Sequence, residues 1–394
     1  MAFLRRISTR QLLGLAAAVA ALAAGTTAIA IAATTGGPTP PPKSLDRAVH
    51  DALVAPPPEG VTARVHFTDN LIGESVLEGS DPILGGASGR LWATADGKLR
   101  LELQADVSKG SAGDFQLLVD GNRFTAYDPG TETTYRGTLP EDSAGKEEAG
   151  HDEPPSLSEV QGGIQEVMEH ATLGDAVPSD VAGRPAYTVR VSPKANGGLV
   201  GGADLAWDAE NGIPLRAAVY AKGESSPVLE LSVTDISLGP VSESVFEVSP
   251  PPGSKNVVIQ PPAGGSGANG STPPSGLETI QANVAFQLSA PPTLAGRARE
   301  EVRQVASGED AGALVTYGKG LDGIAVLELP VSTEGSGEEG GGLQLPSVSI
   351  EGVVAAHQLE TPLGTLIRFR RAGVEYTVVG SVTAAVAQEA AQGL

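Results

Sequence analysis

The chain has 394 residues and a formal charge of -21, from 47 acidic against 26 basic side chains. So acidic a balance argues against a sequence-independent grip on nucleic-acid phosphate. The absence of cysteine excludes disulfides, thiolate nucleophiles and a cysteine-linked lipid anchor. With 51 glycines and 30 prolines, many turns and at least one linker are expected, and with 15 aromatic residues the cores must be mostly Val, Leu and Ala.

The first 33 residues read as an address. Arg5, Arg6 and Arg10 precede an uncharged run from Leu12 to Ala33, long enough to span about 30 Å of hydrocarbon as a helix. Ala28-Ile29-Ala30 and Ala30-Ile31-Ala32 have the small-residue spacing of a signal-peptidase site. Cleaved signal peptide and retained N-terminal membrane anchor both stay open. In either case the basic flank remains inside and the rest of the chain faces outward. Residues 34–43 form a Pro-rich spacer.

From Ser44 the chain enters its first domain, taken to run over 44–258. Leu45, Val49, Ala52 and Leu53 make a helical stripe over Leu45 to Val54. The period then changes to two: Val61, Ala63, Val65 and Phe67 oppose Thr62, Arg64 and His66. Gly89 to Ala95 and Leu99 to Ala105 form a hairpin across Asp96-Gly97. Phe115 to Leu139 reads as three strands, with Asp120-Gly121 as the first turn and Asp128-Pro129-Gly130 as the second. An acidic loop over Pro140 to Pro155 precedes a helix predicted over Leu157 to Leu173. Strands follow at Tyr187 to Val191, in a hairpin over Asp204 to Tyr220 turning at Asn211-Gly212, and at Val228 to Ile236.

Residues 259–276 have linker composition, and 277–394 form a smaller α+β domain. There Ala282 to Leu288 is predicted as a strand, and Leu294 to Ala306 suits either helix or strand. Leu314 to Tyr317 and Ile324 to Leu329 flank Gly318-Lys319-Gly320. A Gly/Glu-rich loop spans Thr333 to Gly342. Strands are predicted at Val348 to Val354, Gly364 to Phe369 and Gly373 to Val379, and a terminal helix at Thr383 to Gln392.

The strands of the first domain share one habit: one parity is aliphatic, the other polar. Such a sheet needs cover on its oily side, since burying a Leu or Val side chain is worth roughly 1.5 to 3 kcal/mol. Two helices are a narrow roof for eight or more strands. Either a packed α+β core or a hollow for a hydrocarbon chain satisfies the pattern.

Four stretches, in order, resemble the LolA-like family of envelope lipid and lipoprotein carriers. They are Gly89 to Leu103 (GRLWATADGKLRLEL), Leu118 to Tyr127 (LVDGNRFTAY), Leu205 to Arg216 (LAWDAENGIPLR), and Asp235 to Val258 with its FEVSPPPG segment. The resemblance covers roughly residues 45–258. It implies a curved antiparallel half-barrel sheet closed by a helical lid, with an apolar hollow between them. It implies that Val65, Leu101, Leu103, Leu117, Val119, Phe124, Trp207, Val219, Leu231 and Val233 face that hollow and bind a lipid or lipoprotein acyl chain. Plain core packing is the alternative for each. Arg64 and Arg100 are the basic residues closest to this sheet, and neither is matched to the family's lid-locking arginine. The RseB/MucB-like branch of the family joins such a domain to a small C-terminal one and binds an anti-sigma factor. For this chain that implies, as a second reading, a lipid-sensing envelope regulator whose small domain contacts a membrane protein partner. Gly373 to Leu394 also resembles a small domain at the outer end of some membrane-anchored anti-sigma-like and sporulation proteins.

No G-x-S-x-G elbow, H-E-x-x-H, P-loop or EF-hand loop occurs. The five histidines are scattered, and His170 at a helix end suits a capping role better than a metal. The acidic cluster over Glu141 to Glu153 lacks a turn glycine at EF-hand spacing and reads as a solvated loop. The expectation is a non-enzymatic, exported binding protein with no cofactor and no metal, at the outer face of the cytoplasmic membrane or in the cell envelope.

Overall fold

The computed structural model describes residues 37–71, 86–105, 114–129, 132–138, 155–194, 197–247, 250–259, 275–305, 311–331 and 345–394. The N-terminal apolar run, nearly all of the acidic loop, most of the 259–276 linker and the Gly/Glu-rich loop lie outside the described residues. Among the described residues, no helix is long and apolar enough to cross a membrane. The chain forms two compact units. Among the described residues, 37–70 and those within 86–194 and 201–259 make one unit, and 71, 197–200 and those within 275–394 make the other.

In the first unit α1 (Leu45–Val54) leads into β1 (Gly60–Asp69), β2 (Ala87–Thr94), β3 (Leu99–Ala105), β4 (Asp114–Asp120), β5 (Arg123–Asp128) and β6 (Thr133–Thr138). Then come α2 (Leu157–His170), β7 (Ala171–Leu173), β8 (Val177–Val181), β9 (Arg184–Pro193), β10 (Val200–Asp208), β11 (Pro214–Ala221), β12 (Pro227–Leu238) and β13 (Lys255–Ile259). The strands make one half-barrel sheet in the order β13-β6-β5-β4-β3-β2-β1-β12-β11-β10-β9-β7, with β8 also on β9. Every described pair in it is antiparallel except β13 on β6, which is parallel.

The meander from β1 to β6 follows the expected alternation, with one shift at a turn. Asp120 pairs with Arg123, so the turn residues are Gly121 and Asn122. Gly121 is at φ 61, the first-position glycine of a two-residue hairpin. α2 begins with a capping box in which Ser156 Oγ accepts from Glu159 N and the Glu159 carboxylate accepts from Ser156 N. The helix ends at His170, three residues short of the predicted Leu173. Ala171 to Leu173 instead pair with Val191, Ser192 and Pro193 of β9, because sheet bonds replace helical ones for a short apolar tail.

The second unit contains α3 (Leu277–Asn283), β14 (Thr293–Leu294), β15 (Arg297–Val305), β16 (Gly312–Tyr317), β17 (Ile324–Pro330), β18 (Ser347–Ile350), β19 (Val353–Thr361), β20 (Gly364–Arg371), β21 (Val374–Gly380) and α4 (Ala384–Gln392). Its eight strands run in the order β14-β15-β16-β17-β21-β20-β19-β18. Two expectations are corrected here, and one left open is decided. Ala282 to Leu288 is the end of α3 followed by an irregular stretch. There the Gln281 side chain donates to Phe286 O and accepts from Leu288 N, satisfying groups that a strand partner would otherwise take. The open stretch Leu294 to Ala306 is strand at Leu294 and from Arg297 to Val305, with a turn at Ala295 and Gly296 between them. Val348 to Val354 splits into β18 and β19 at a turn with Gly352 at φ 75. One continuous core fills this unit, built on Tyr317, Ile324, Val326, Ile367, Phe369, Tyr376 and Val378, with Ile280 of α3 and Ala387, Ala390 and Ala391 of α4 against it.

The β10–β11 turn shows how sequence couples to packing. The fully buried Asp208 carboxylate accepts from Glu210 N at 2.8 Å and Arg184 Nε at 2.6 Å. Gly212 sits at φ +70, and a Cβ there would lie 2.4 Å from Ala52 O of α1. Gly212→Ala should therefore destabilise the protein by at least about 1 kcal/mol. The cost should appear as a lower thermal midpoint and as faster amide exchange in α1. An unchanged midpoint would show that the turn and helix accommodate a methyl group.

Candidate functional site

The registers of β12, β1 to β6 and β13 carry a single parity across eight strands. One row runs Ile236, Ala63, Leu91, Leu101, Leu117, Ala126, Tyr135, Val257. The next runs Leu238, Val61, Ala93, Leu99, Val119, Phe124, Gly137, Ile259. A third joins Val233, Val65, Gly89, Leu103 and Phe115. Even-numbered Ile236 joins this face because the register shifts between Arg64 and Val65, which pair with Asp235 and Val233. Thr234 is the extra residue of a β-bulge.

The opposite parity has its own cover. After β12 the chain makes a 3₁₀ turn at Glu243–Val245 and returns on the far side of the meander as β13. Arg100 Nη1 donates to Val245 O at 2.6 Å, and another Arg100 nitrogen bonds Glu102. The Arg100 guanidinium lies 5.4 Å from the Trp92 ring centre. Lys98 pairs with Glu243 and sits 6.0 Å from the centre of the Phe246 ring, which is buried. Thr134 and Ser254 share a hydroxyl bond of 2.8 Å. Trp92, Arg100 and Thr134 all belong to the polar parity, so this strap covers the polar face. Both parities of β4 are half-buried in its interior.

On the same polar parity an ionic ladder stiffens the other half of the sheet. Arg190 bonds Asp204 at 3.0 Å, Arg216 lies 3.6 Å from Asp204, and Arg216 bonds Glu230 at 3.0 Å. The Tyr220 hydroxyl accepts from Arg216 at 2.9 Å, and Arg190 stacks 4.2 Å from the Tyr220 ring centre. Burial alone would lower the Arg216 pKa, yet bonds to Glu230 and Tyr220 raise it overall, so it stays charged. Burial likewise pushes the Tyr220 phenol up.

Asp204 shares that face with Arg216, so Leu205 and Trp207, which alternate with it, fall on the other. The helices pack there. Leu45 of α1 and Val167 of α2 meet Val189, Val191, Leu205 and Trp207, and Ala48 packs with Tyr187. Tyr187 donates its hydroxyl to Pro41 O at 2.6 Å, and Lys43 bonds Asp51 at 2.6 Å. The last residues of the proposed spacer are thus tied to α1 and β9. Gln161 of α2 donates to Asp46 of α1 at 2.6 Å, joining the two helices.

The ten expected residues divide by cover. Val65 and Leu103 are buried and pack with Ala87, Phe67, Leu91, Leu101, Phe115 and Val233. Trp207 lies under the helices. Leu117, Val119 and Phe124 share the face of Leu101 and, like it, are half-buried. Val219 is half-buried, and Leu231, which pairs with Phe67, is 41% exposed. The registers bring Leu91, Leu99, Phe115 and Ala126 to the same face; their alternation with polar neighbours was the available signal. Ile236 carried none, because the bulge reverses its parity. Among the described residues no group of His, Asp and Glu is placed to hold a metal. His170 is exposed in the last turn of α2, and His66 bonds Ser88 at 3.0 Å.

No family model and no curated protein matches the chain. Among solved structures the chain is similar to MucB in complex with MucA(peri), at 15% identity and a TM-score of 0.43, over 89% of this chain and 96% of that one. It is similar to the Pseudomonas aeruginosa MucA/MucB complex at 15% identity and a TM-score of 0.41, over 88% and 94%. It is also similar to a LolA superfamily protein from Nitrosomonas europaea, at 9% identity and a TM-score of 0.23, over 52% of this chain and 98% of that one. Likeness at this level carries no argument about function.

The strap contact can be tested directly. Arg100→Ala removes a charge-assisted bond worth about 1.5 to 3 kcal/mol. Amides of residues 243–247 should exchange faster in the variant while those of the second unit do not change. Unaltered exchange at 243–247 would show that the strap is held without Arg100.

Proposed function

We propose that the first unit is an extracytoplasmic carrier that holds a lipid or lipoprotein acyl chain on the apolar parity of β2 to β5. The observation that carries this reading is the uneven cover of that face. Under the helices at the β9–β10 end of the sheet Tyr187, Val189 and Val191 are buried, whereas Leu117, Val119 and Phe124 at the other end are only half-buried. Leaving such side chains in water forfeits part of the roughly 1.5 to 3 kcal/mol that each gains on full burial. An alkyl tail laid across them recovers that energy and gains about 0.8 kcal/mol for each of its own buried methylenes. Four strands at about 4.8 Å spacing present a face about 15 Å across. Binding is the proposed activity, with no reaction assigned. The basic flank and apolar run at the N-terminus support an outward-facing location.

A second reading rests on the second unit. On the face away from its core, Ala325 pairs with Val379, Val379 with Leu366, and Leu366 with Leu359. Val379 is 44% exposed. An apolar row on a self-sufficient domain supports a regulator that senses lipid with one unit and meets a membrane protein with the other.

The carrier reading predicts that the delipidated protein takes up a fluorescent fatty acid or phospholipid, seen as an emission shift and as an adduct in native mass spectrometry. Leu117→Glu should reduce uptake at least tenfold while the circular dichroism spectrum is retained. Absence of uptake by the folded wild-type chain would end the carrier reading, and full uptake by the variant would move the site elsewhere.

A further inference from the structure

The core of the second unit contains a carboxylic acid that no part of the carrier reading uses. Glu328 follows Ile324 and Val326 on the inward parity of β17 and has no exposed surface. Its Oε2 accepts from Ser289 N at 2.9 Å, and its Oε1 has no hydrogen-bond partner. No ion pair to it is formed among the described residues. The groups facing it are poor counter-charges. Tyr376 of β21 lies directly opposite in the ladder. The Tyr317 hydroxyl of β16 is buried and unpartnered. Arg299 of β15 acts on Tyr317 and spends a guanidinium nitrogen on Ala290 O.

Ser289 makes this acid more than a packing defect. Its N–H holds Glu328 while its hydroxyl donates to Leu394 O at 2.7 Å, just past α4. The segment joining α3 to β14 and the end of α4 therefore meet the β17 carboxyl through one residue. We propose that Glu328 is a proton-controlled latch: neutral, it lets the 284–292 segment and the end of α4 seat on the sheet, and ionised, it loosens both.

The chemistry fixes the direction. An unpaired carboxylate in an apolar core is costly, so the buried group prefers its protonated form. Burial pushes the Glu328 pKa up to about 7, against a smaller lowering by the Ser289 bond. Burial also raises the Tyr317 and Tyr376 phenols, with the Glu328 charge adding to each. An acid whose folded pKa is raised leaves stability at its highest below the unfolded value. Stability is lost as pH rises towards the folded one and is level above it. The second unit should thus be tightest below about pH 4.5 and loosen as pH rises to about 7.

The test is amide exchange of the full chain between pH 5 and 8.5, corrected for intrinsic exchange chemistry. Opening of residues 284–292 and 384–394 in the wild-type chain should rise by up to about tenfold per pH unit below pH 7 and then level off. In Glu328→Gln the same segments should show a flat profile. Parallel profiles in the two proteins would overturn the proposal. If the variant does not fold, carboxyl-carbon NMR of the wild-type chain decides. A Glu328 resonance titrating near pH 7 supports the latch, and one titrating near 4.5 sinks it.

Discussion

One constraint organises the first unit: eight strands keep a single side-chain parity in register, so every aliphatic residue on that parity must find cover on the same side of the sheet. A sheet of this kind cannot distribute its apolar surface between two faces. The polar face is already occupied, first by the strap that Arg100 and Lys98 hold down, then by the ladder from Arg190 to Glu230. What remains for the apolar face is α1 and α2, and these two helices sit over β9 and β10.

The two units solve the burial problem differently. In the second, Tyr317, Phe369 and Tyr376 help fill one continuous core, with Phe369 and Tyr376 stacked at 5.0 Å. In the first, the buried apolar residues among those described fall into separate small groups. The difference follows from side-chain volume. A wide curved sheet lined with Val, Leu and Ala needs either more helices or a guest to bring its groups together, because small aliphatics do not reach across a broad concavity.

Much of this was legible because turns and alternation are local. α1 was read to its observed ends, and the β2–β3, β4–β5 and β10–β11 hairpins were announced by Asp96-Gly97, Asp120-Gly121 and Asn211-Gly212. What failed was decided at a distance. β13 lies just after a proline-rich stretch and exists because β6 offers a parallel edge. β7 looked like the last turn of a helix until β9 claimed it. Thr234 as a bulge, and with it the inward turn of Ile236, depends on how β1 pairs. The candidate face was recoverable in outline from parity, but the unequal cover along it was not, since that depends on where two helices dock.

The position of the strap also limits what can move. A crossover bonded to β3 and continued into the sheet as β13 ties β12 to β6 across the strands between them. A change that flattened or opened the meander would have to break the Arg100 and Lys98 contacts together with the β13–β6 ladder. The helices are held by Gln161 to Asp46, by Tyr187 to Pro41 and by the packing of Leu45, Ala48 and Val167 on Tyr187, Val189, Val191, Leu205 and Trp207. On the carrier reading, a hydrocarbon tail would settle over Leu117, Val119 and Phe124 on a sheet that keeps its curvature, while α1 and α2 stay packed over β9 and β10.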